Sequence, residues 1–230
     1  MAPSRSAAVA TEGKPRPVIT VHGKAHDLSK VRKAQLDAWR AECLRKFPAG
    51  GAYQVLYVDP PWQYWGGRTL NLEGQTAYPT MTLEELKRLP VGRAAAPTSV
   101  LFLWATNPML SEAIELARAW GFEYKTVFKV WLKRTVGGTP VVGLGSWSRS
   151  STELLLVATR GKGYMSWKTS RSEPQVFEGP RTRHSEKPAA VRDAVRAFLR
   201  VPRRLEVFAR TTAPGWDAWG LEVPGFFHRD

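Results

Sequence analysis

From residue 53 onward the chain alternates short apolar runs with longer amphipathic ones, and few architectures accommodate that pattern. Tyr53–Val58 (YQVLYV) is rich in aromatic and β-branched residues, and Ser99–Ala105 (SVLFLWA) is apolar throughout, as a strand covered on both faces must be. Further strands are predicted at Tyr124–Leu132, Leu154–Thr159 and Leu205–Ala209. Between them, Thr82 and Glu85 form a capping box that opens a short helix closed by Pro90. Asn107-Pro108 starts a helix running to Trp120 with Gly121 just beyond it, and another helix is expected from Lys187 to Arg200. This alternation predicts an α/β domain, residues 51–230, built on a single doubly wound sheet.

The N-terminal part follows different rules. Residues 1–23, with Pro3, Pro15 and Pro17 and no periodicity, read as a flexible arm. Residues 24–50 read as a basic helix from Leu28 to Phe47, capped by Asp27 or Ser29 and ended by Pro48 to Gly51. Its apolar positions Leu28, Val31, Leu36, Trp39, Cys43 and Phe47 leave a face carrying Lys30, Arg32, Lys33, Arg40 and Lys46.

Charge narrows the partner. The 230 residues carry 34 Lys and Arg against 20 Asp and Glu, a formal +14 that favours polyanions such as nucleic acid. The excess is not even: residues 1–50 hold +6, residues 51–120 hold −1 and residues 121–230 hold +9. Lys133 to Arg183 interleaves nine basic residues with Trp147, Tyr164 and Trp167, a mixture suited to phosphate contact and base stacking, with Trp147 and Arg149 as substrate contacts and Lys162 and Lys168 beside them. Two basic blocks therefore flank a near-neutral middle, as a clamp around an uncharged pocket would.

Inventory removes other classes. No apolar run approaches the roughly 20 residues needed to span a bilayer, so no membrane association is expected. Cys43 stands alone, which excludes an internal disulfide or a thiolate zinc site and suits a reducing, cytoplasmic setting. His22, His26, His184 and His228 are scattered without a third ligand at metal-site spacing, so no metal is expected. Neither a nucleophile elbow nor a Walker A sequence occurs.

In open α/β sheets reactive groups gather at the carboxyl ends of strands. After Tyr53–Val58 stands Asp59-Pro60-Pro61-Trp62. Two prolines give a stiff backbone without amide donors, so a carboxylate and a prolyl carbonyl form a pair of pure acceptors beside the flat face of Trp62. Such a pair can hold both N–H bonds of an exocyclic amine and localise its lone pair for attack on an electrophilic methyl group. On local chemistry alone, the same tetrapeptide also serves as an ordinary strand-end turn.

Val58-Asp-Pro-Pro-Trp62 is followed, in order, by Tyr78-Pro-Thr-Met-Thr82, Leu101-Phe-Leu-Trp104, Gly121-Phe122, Val130-Trp131, Gly145 to Glu153, His184-Ser-Glu-Lys-Pro188 and Leu205-Glu-Val-Phe-Ala-Arg210. The series resembles the DPPW-type N(6)-adenine methyltransferases, over roughly residues 53–223. That resemblance implies a Rossmann-like fold using S-adenosylmethionine, methylating the 6-amino group of adenine in DNA after target-base flipping. It implies Asp59, Pro60, Pro61 and Trp62 as the catalytic motif, and Tyr78 and Trp104 in the wall of the adenine pocket. On the cofactor it places Asp59, Lys187 (toward the carboxylate), Phe208, Arg210, Thr212 and Glu222. Without the family, Tyr78 and Trp104 read equally well as core aromatics, and Lys187, Arg210 and Glu222 as surface residues. An RNA adenosine methyltransferase and an inactive nucleic-acid-binding subunit are the alternatives; oligomeric state and recognition sequence are not readable.

Overall fold

The computed structural model describes residues 18–27, 30–31, 33–64, 80–143, 145, 147–181 and 186–230. Its core is an eight-stranded mixed sheet. The strands are β3 (Tyr53–Val58), β4 (Ala95–Thr106), β5 (Glu123–Arg134), β6 (Thr152–Arg160), β7 (Val176–Pro180), β8 (Arg204–Val207), β9 (Asp217–Trp219) and β10 (Phe227–His228). Their order across the sheet is β10-β9-β8-β3-β4-β6-β5-β7. Pairs β3–β4, β3–β8, β8–β9 and β5–β7 are parallel, whereas β6 runs antiparallel to both its neighbours.

The central strands alternate sides, which is what makes the sheet doubly wound. Leu101, Leu103 and Ala105 of β4 face α4 (Leu110–Ala119) and α1 (Lys33–Arg45), with Leu56 and Val58 of β3 beside them. Val100, Phe102 and Trp104 turn the other way, onto α5 (Ala189–Phe198), where Val191 and Val195 are fully buried. Both faces are thereby covered, the condition under which apolar strands can run uninterrupted.

The capping box forms as the sequence indicates: Thr82 N–H donates to Glu85 and Glu85 N–H donates to the Thr82 hydroxyl, opening α2 (Leu83–Lys87). A short helix α3 (Val91–Ala94) then leads directly into β4. Asn107–Met109 is a 3₁₀ turn preceding α4, and Gly121, at φ +84, provides the left-handed step after it.

The N-terminal expectation needs correction. Residues 18–27 are not part of an arm or a helix but a hairpin, β1 (Val18–Val21) and β2 (Lys24–Asp27). His22 and Gly23 both take positive φ, 51 and 73, the two-residue turn whose twist matches antiparallel strands. Asp27 therefore ends a strand, and the helix begins at Lys33. Leu28, Ser29 and Arg32, like residues 1–17, lie outside the described residues. Nor does this region stand apart: Cys43 and Phe47 belong to the main core, the Cys43 carbonyl accepts from Trp219 Nε1 at 2.8 Å, and Phe47 meets the Trp219 ring edge-on. Among the described residues no helix is long and apolar enough to cross a membrane.

β3 is flanked by β4 on one side and β8 on the other, so chain order reverses beside it, and a crevice opens at the carboxyl ends of these strands. Gly220 helps shape that edge: a Cβ there would sit 2.3 Å from the Ala209 carbonyl oxygen. Gly220→Ala is expected to destabilise the fold by about 1–3 kcal/mol through backbone displacement, read as a lowered midpoint in urea unfolding.

Candidate active site

β3 ends at Val58, and Asp59 is tied to the neighbouring strand by its N–H, which donates to the Val207 carbonyl. The next three residues are buried, and each is held. Trp62 N–H donates to the Pro60 carbonyl at 2.9 Å, Met81 N–H donates to the Pro61 carbonyl at 2.8 Å, and Trp62 Nε1 donates to the Trp104 carbonyl at 3.2 Å. The Pro60 oxygen keeps one lone pair for another donor, since a carbonyl accepts two. Trp62 is only 6% exposed, so its ring stiffens the turn more than it offers an open face.

Three strands and a helix then bring charges together. Lys187, just ahead of α5, places Nζ 2.7 Å and 2.8 Å from the two carboxylate oxygens of Asp59 and 3.2 Å from Glu153 Oε2. Glu153, at the start of β6, is also gripped by Lys133 of β5 at 2.6 Å. Below them Glu206 of β8 pairs with Arg192 of α5 at 2.7 Å. Beside them Arg210 Nε donates to Glu222 at 2.8 Å. The edge expected to be nearly uncharged is instead dense with charge whose signs cancel: four carboxylates meet Lys133, Lys187, Arg192 and Arg210. The flat count for residues 51–120 concealed this because the cations come from later segments.

Electrostatic consequences differ between the carboxylates. Burial pushes Asp59 above the ordinary carboxylate range, and Lys187 offsets only part of that. Burial acts the same way on Glu153, but Lys187 and Lys133 together outweigh it and hold that carboxyl below its usual range. Glu206 is raised by burial against the pull of Arg192, with Asp59 adding to the rise.

The remaining expected residues divide. Trp104 is fully buried: its Nε1 donates to the Tyr57 hydroxyl at 2.7 Å, and Lys187 Nζ lies 5.7 Å over its ring. It forms the floor beneath the lysine. Phe208 follows β8 at φ 63, a left-handed conformation rare for a phenylalanine, with its ring 5.5 Å from that of Trp219. Arg210 and Glu222, expected separately, come together as a pair, while Thr212 lies exposed on the following loop. Tyr78 lies outside the described residues.

Trp147 and Arg149 sit in the β5–β6 connection, fastened to the catalytic edge by Asn107, whose amide donates to the Ser150 and Thr152 hydroxyls at 3.1 Å. Trp147 is completely exposed, and Arg149 Nε donates to the Gly143 carbonyl. Lys162 and Lys168 do not accompany them. Because β6 is antiparallel to β4, Glu153 lies opposite Thr106 at the catalytic edge, whereas Arg160 lies opposite Ser99 at the other end. Lys162 and Lys168 follow Arg160 and so lie roughly 23 Å away, at about 3.3 Å per strand residue. One basic segment thus supplies two edges.

Glu153 was missed as a functional residue, as were Lys133, Glu206 and Arg192. Glu153 opens an apolar strand, and no local pattern distinguishes it from a solvated strand end; only the antiparallel entry of β6 beside β5 and the start of α5 gives it its partners, Lys133 and Lys187.

The donor set fits a zwitterionic nucleoside cofactor. A lysine suits a carboxylate, carboxylates suit an ammonium and hydroxyls, and Glu153 Oε2, buried without a well-aligned hydrogen bond, retains accepting capacity. Among the described residues no group of three or more His, Cys, Asp or Glu could hold a metal ion.

Comparison with known proteins places the chain in a family. The MT-A70 family profile matches residues 53–222. A type II methyltransferase, M.MunI, of Mycoplasma sp is 38% identical over 189 residues, covering 75% of this chain and 78% of the relative. The N6-methyladenosine RNA methyltransferase MTA1 of Cryphonectria parasitica is 31% identical over 182 residues, 76% of this chain and 52% of the relative. The N(6)-adenine-specific methyltransferase METTL4 of Homo sapiens is 27% identical over 190 residues, 77% and 39% respectively. The chain thus spans about half or less of the length of the fungal and human proteins.

Removing Lys187 leaves the partly buried Asp59 without its cation, while Glu153 keeps Lys133. Lys187→Met should cost about 3 kcal/mol at pH 7. Asp59 then has a folded pKa still further above its unfolded value, so its ionised form is penalised wherever pH exceeds that unfolded value. The deficit should therefore shrink as pH falls through the folded pKa of Asp59, as chemical unfolding across pH 4–8 would measure.

Proposed function

The chain belongs to the MT-A70 family, and from that premise we propose that it methylates the 6-amino group of adenine in DNA, using S-adenosylmethionine. The observation that carries the proposal is the arrangement at Asp59 and Pro60: two acceptors on a rigid turn, at the switch point of the sheet, with a lysine and an arginine within the same crevice. The similarity to M.MunI, at 38% identity over most of both chains, supports DNA over RNA.

An adenine stacked in a duplex cannot reach this turn, so the target nucleotide must leave the stack. Asp59 and the free lone pair of Pro60 then receive the two amine hydrogens and hold the nitrogen lone pair toward the methyl group. The cofactor supplies that methyl group on a sulfonium, so the nitrogen–carbon bond forms as the carbon–sulfur bond breaks. Most of the acceleration comes from positioning, which removes the entropic cost of bringing two molecules into line. The amine becomes acidic as its bond to carbon forms, and Asp59, with its carboxyl raised by burial, is placed to accept the departing proton.

Both oxygens of Asp59 are engaged by Lys187. Each carboxylate oxygen keeps a further lone pair for the amine, and a shift of the lysine would open more of the group to it. Lys187 faces a second carboxylate, Glu153, and the cofactor's own carboxylate offers a third partner. With the cofactor's carboxylate as a further partner, Lys187 would shift from Asp59 toward it, and Glu153 would keep the displaced ammonium in place. Arg210 and Glu222, paired across the neighbouring turn, are assigned to the ribose and adenine end.

The test is transfer of labelled methyl groups from the cofactor to matched degenerate-sequence DNA and RNA oligonucleotides. Label in DNA, retained as N(6)-methyladenine after digestion, is the expected result; label in RNA alone would assign the RNA reading instead. Asp59→Ala should abolish transfer while leaving nucleic-acid affinity within about twofold. Transfer by the unaltered protein should fall on the acid side as Asp59 is protonated, with its midpoint above the ordinary aspartate value of about 3.9.

A further inference from the structure

The edge of the sheet opposite Asp59 is strongly basic, unlike the edge at Asp59, and nothing in the proposed reaction uses it. Four elements meet there. The turn after β6 brings Lys162, whose carbonyl accepts from Thr98 at the start of β4. Lys168 bridges to Leu199, and Arg200 N–H donates to the Trp167 carbonyl, which joins that turn to the end of α5. Arg196 stands in the last turn of α5, and Arg204 opens β8, its Nη2 donating to the Leu199 carbonyl at 3.2 Å.

Like charges are crowded here without compensation. Burial lowers the affinity of Arg204 for its proton, and the charge of Arg196 lowers it further. Among the described residues none of Lys162, Lys168, Arg196, Arg200 or Arg204 pairs with a carboxylate. Two carboxylates in the vicinity are already engaged: Asp217, in register with Leu205 beside Arg204, serves the Tyr53 hydroxyl at 2.6 Å, Arg203 at 3.9 Å and Arg229 at 3.7 Å, and Glu173, which lines a groove with Lys168, is held by Lys129 at 2.5 Å. The Nε atoms of Arg203 and Arg204 are buried with no acceptor. This contrasts with the catalytic edge, where every buried cation meets a carboxylate. A fold that neutralises one edge internally and leaves the other uncancelled is built to meet negative charge from outside. The half-buried Tyr164 and Trp167 and the exposed Met165, at 61%, lie within the same turn.

We propose that the amino edge of the sheet, centred on Lys162, Lys168, Arg196, Arg200 and Arg204, is a second nucleic-acid surface that grips the phosphodiester backbone away from the target base. The two edges lie roughly 23 Å apart along β6. That span corresponds to about seven phosphates along one strand at 3.4 Å each, so the surface engages a flanking stretch, not the nucleotide in the pocket. The inference rests on the nucleic-acid reading above but assigns separate residues to affinity.

The experiment is fluorescence anisotropy of a labelled 40-base-pair duplex of degenerate sequence, titrated with the full chain over a series of NaCl concentrations. Lys162→Gln/Lys168→Gln/Arg200→Gln removes three exposed cations. A control, Arg88→Gln/Arg118→Gln, removes two exposed cations at the ends of α2 and α4. The patch variant should bind more weakly at low salt, and its plot of log K against log salt should flatten by about 0.9 per lost contact, roughly 2–3 in all. The control should keep nearly the original slope. A patch variant with the original slope overturns the proposal, as does a control that loses as much, since net charge alone would then explain the effect. Failure of the unaltered protein to bind the duplex, or an equivalent RNA, would instead refute the nucleic-acid reading itself.

Discussion

A single ammonium, that of Lys187, is shared by two carboxylates that the sequence keeps far apart, and the catalytic edge takes its form from that sharing. Asp59 and Lys187 are 128 residues apart along the chain, and they meet because β3 and the N-terminus of α5 finish at the same level of one sheet. Glu153 joins them because β6 enters that sheet in the reverse sense, presenting its first residues where its neighbours present their last. Each ion is costly to remove from water, and none would be tolerated there alone. Together they hold a partly buried Asp at the end of β3 without forcing it to neutralise.

The support beneath this group is aromatic. Trp104 packs edge-on against both Tyr57 and Trp131, and Trp216 meets Tyr57 at a tilt; Trp104 donates to Tyr57 and Trp131 donates to the Gly179 carbonyl. Large rigid rings with few rotamers are well suited to fixing a charged layer above them. Burial accordingly pushes the Tyr57 phenol far upward, so it remains a neutral hydrogen-bonding group under all physiological conditions. Asp59 thus lies above a residue that does not titrate in its range.

How far the sequence foretold this depended on how local the information was. Long apolar runs such as Leu101 to Ala105 announced their strands, and the Thr82–Glu85 box announced its helix, because each pattern is complete within a few residues. β9, three residues long, and β7, with Gly179 and Pro180 at its end, carry no period and were not anticipated; they exist because a neighbouring strand offers an edge to pair with. The hairpin at His22 and Gly23 was hidden by reading proline-rich sequence as an arm. Within the site, Asp59 and Pro60 were legible from chemistry, whereas Glu153 became legible only through the antiparallel register of β6. That same register is why one continuous basic segment, read as one clamp, serves two opposite edges.

The N-terminal hairpin also sets an order of events. His22 N–H donates to the Leu221 carbonyl at 3.1 Å, and the His22 ring lies 3.6 Å from that of Phe226. The turn carrying Glu222 is therefore completed by residues roughly 200 positions earlier in the chain. Contacts of such separation close late, after the loop entropy between them has been overcome. During synthesis the central strands can pair while the hairpin still waits for its partner, so the turn carrying Glu222 is the last part of this edge to acquire its shape. A nascent chain would hold its strands before it could hold a cofactor.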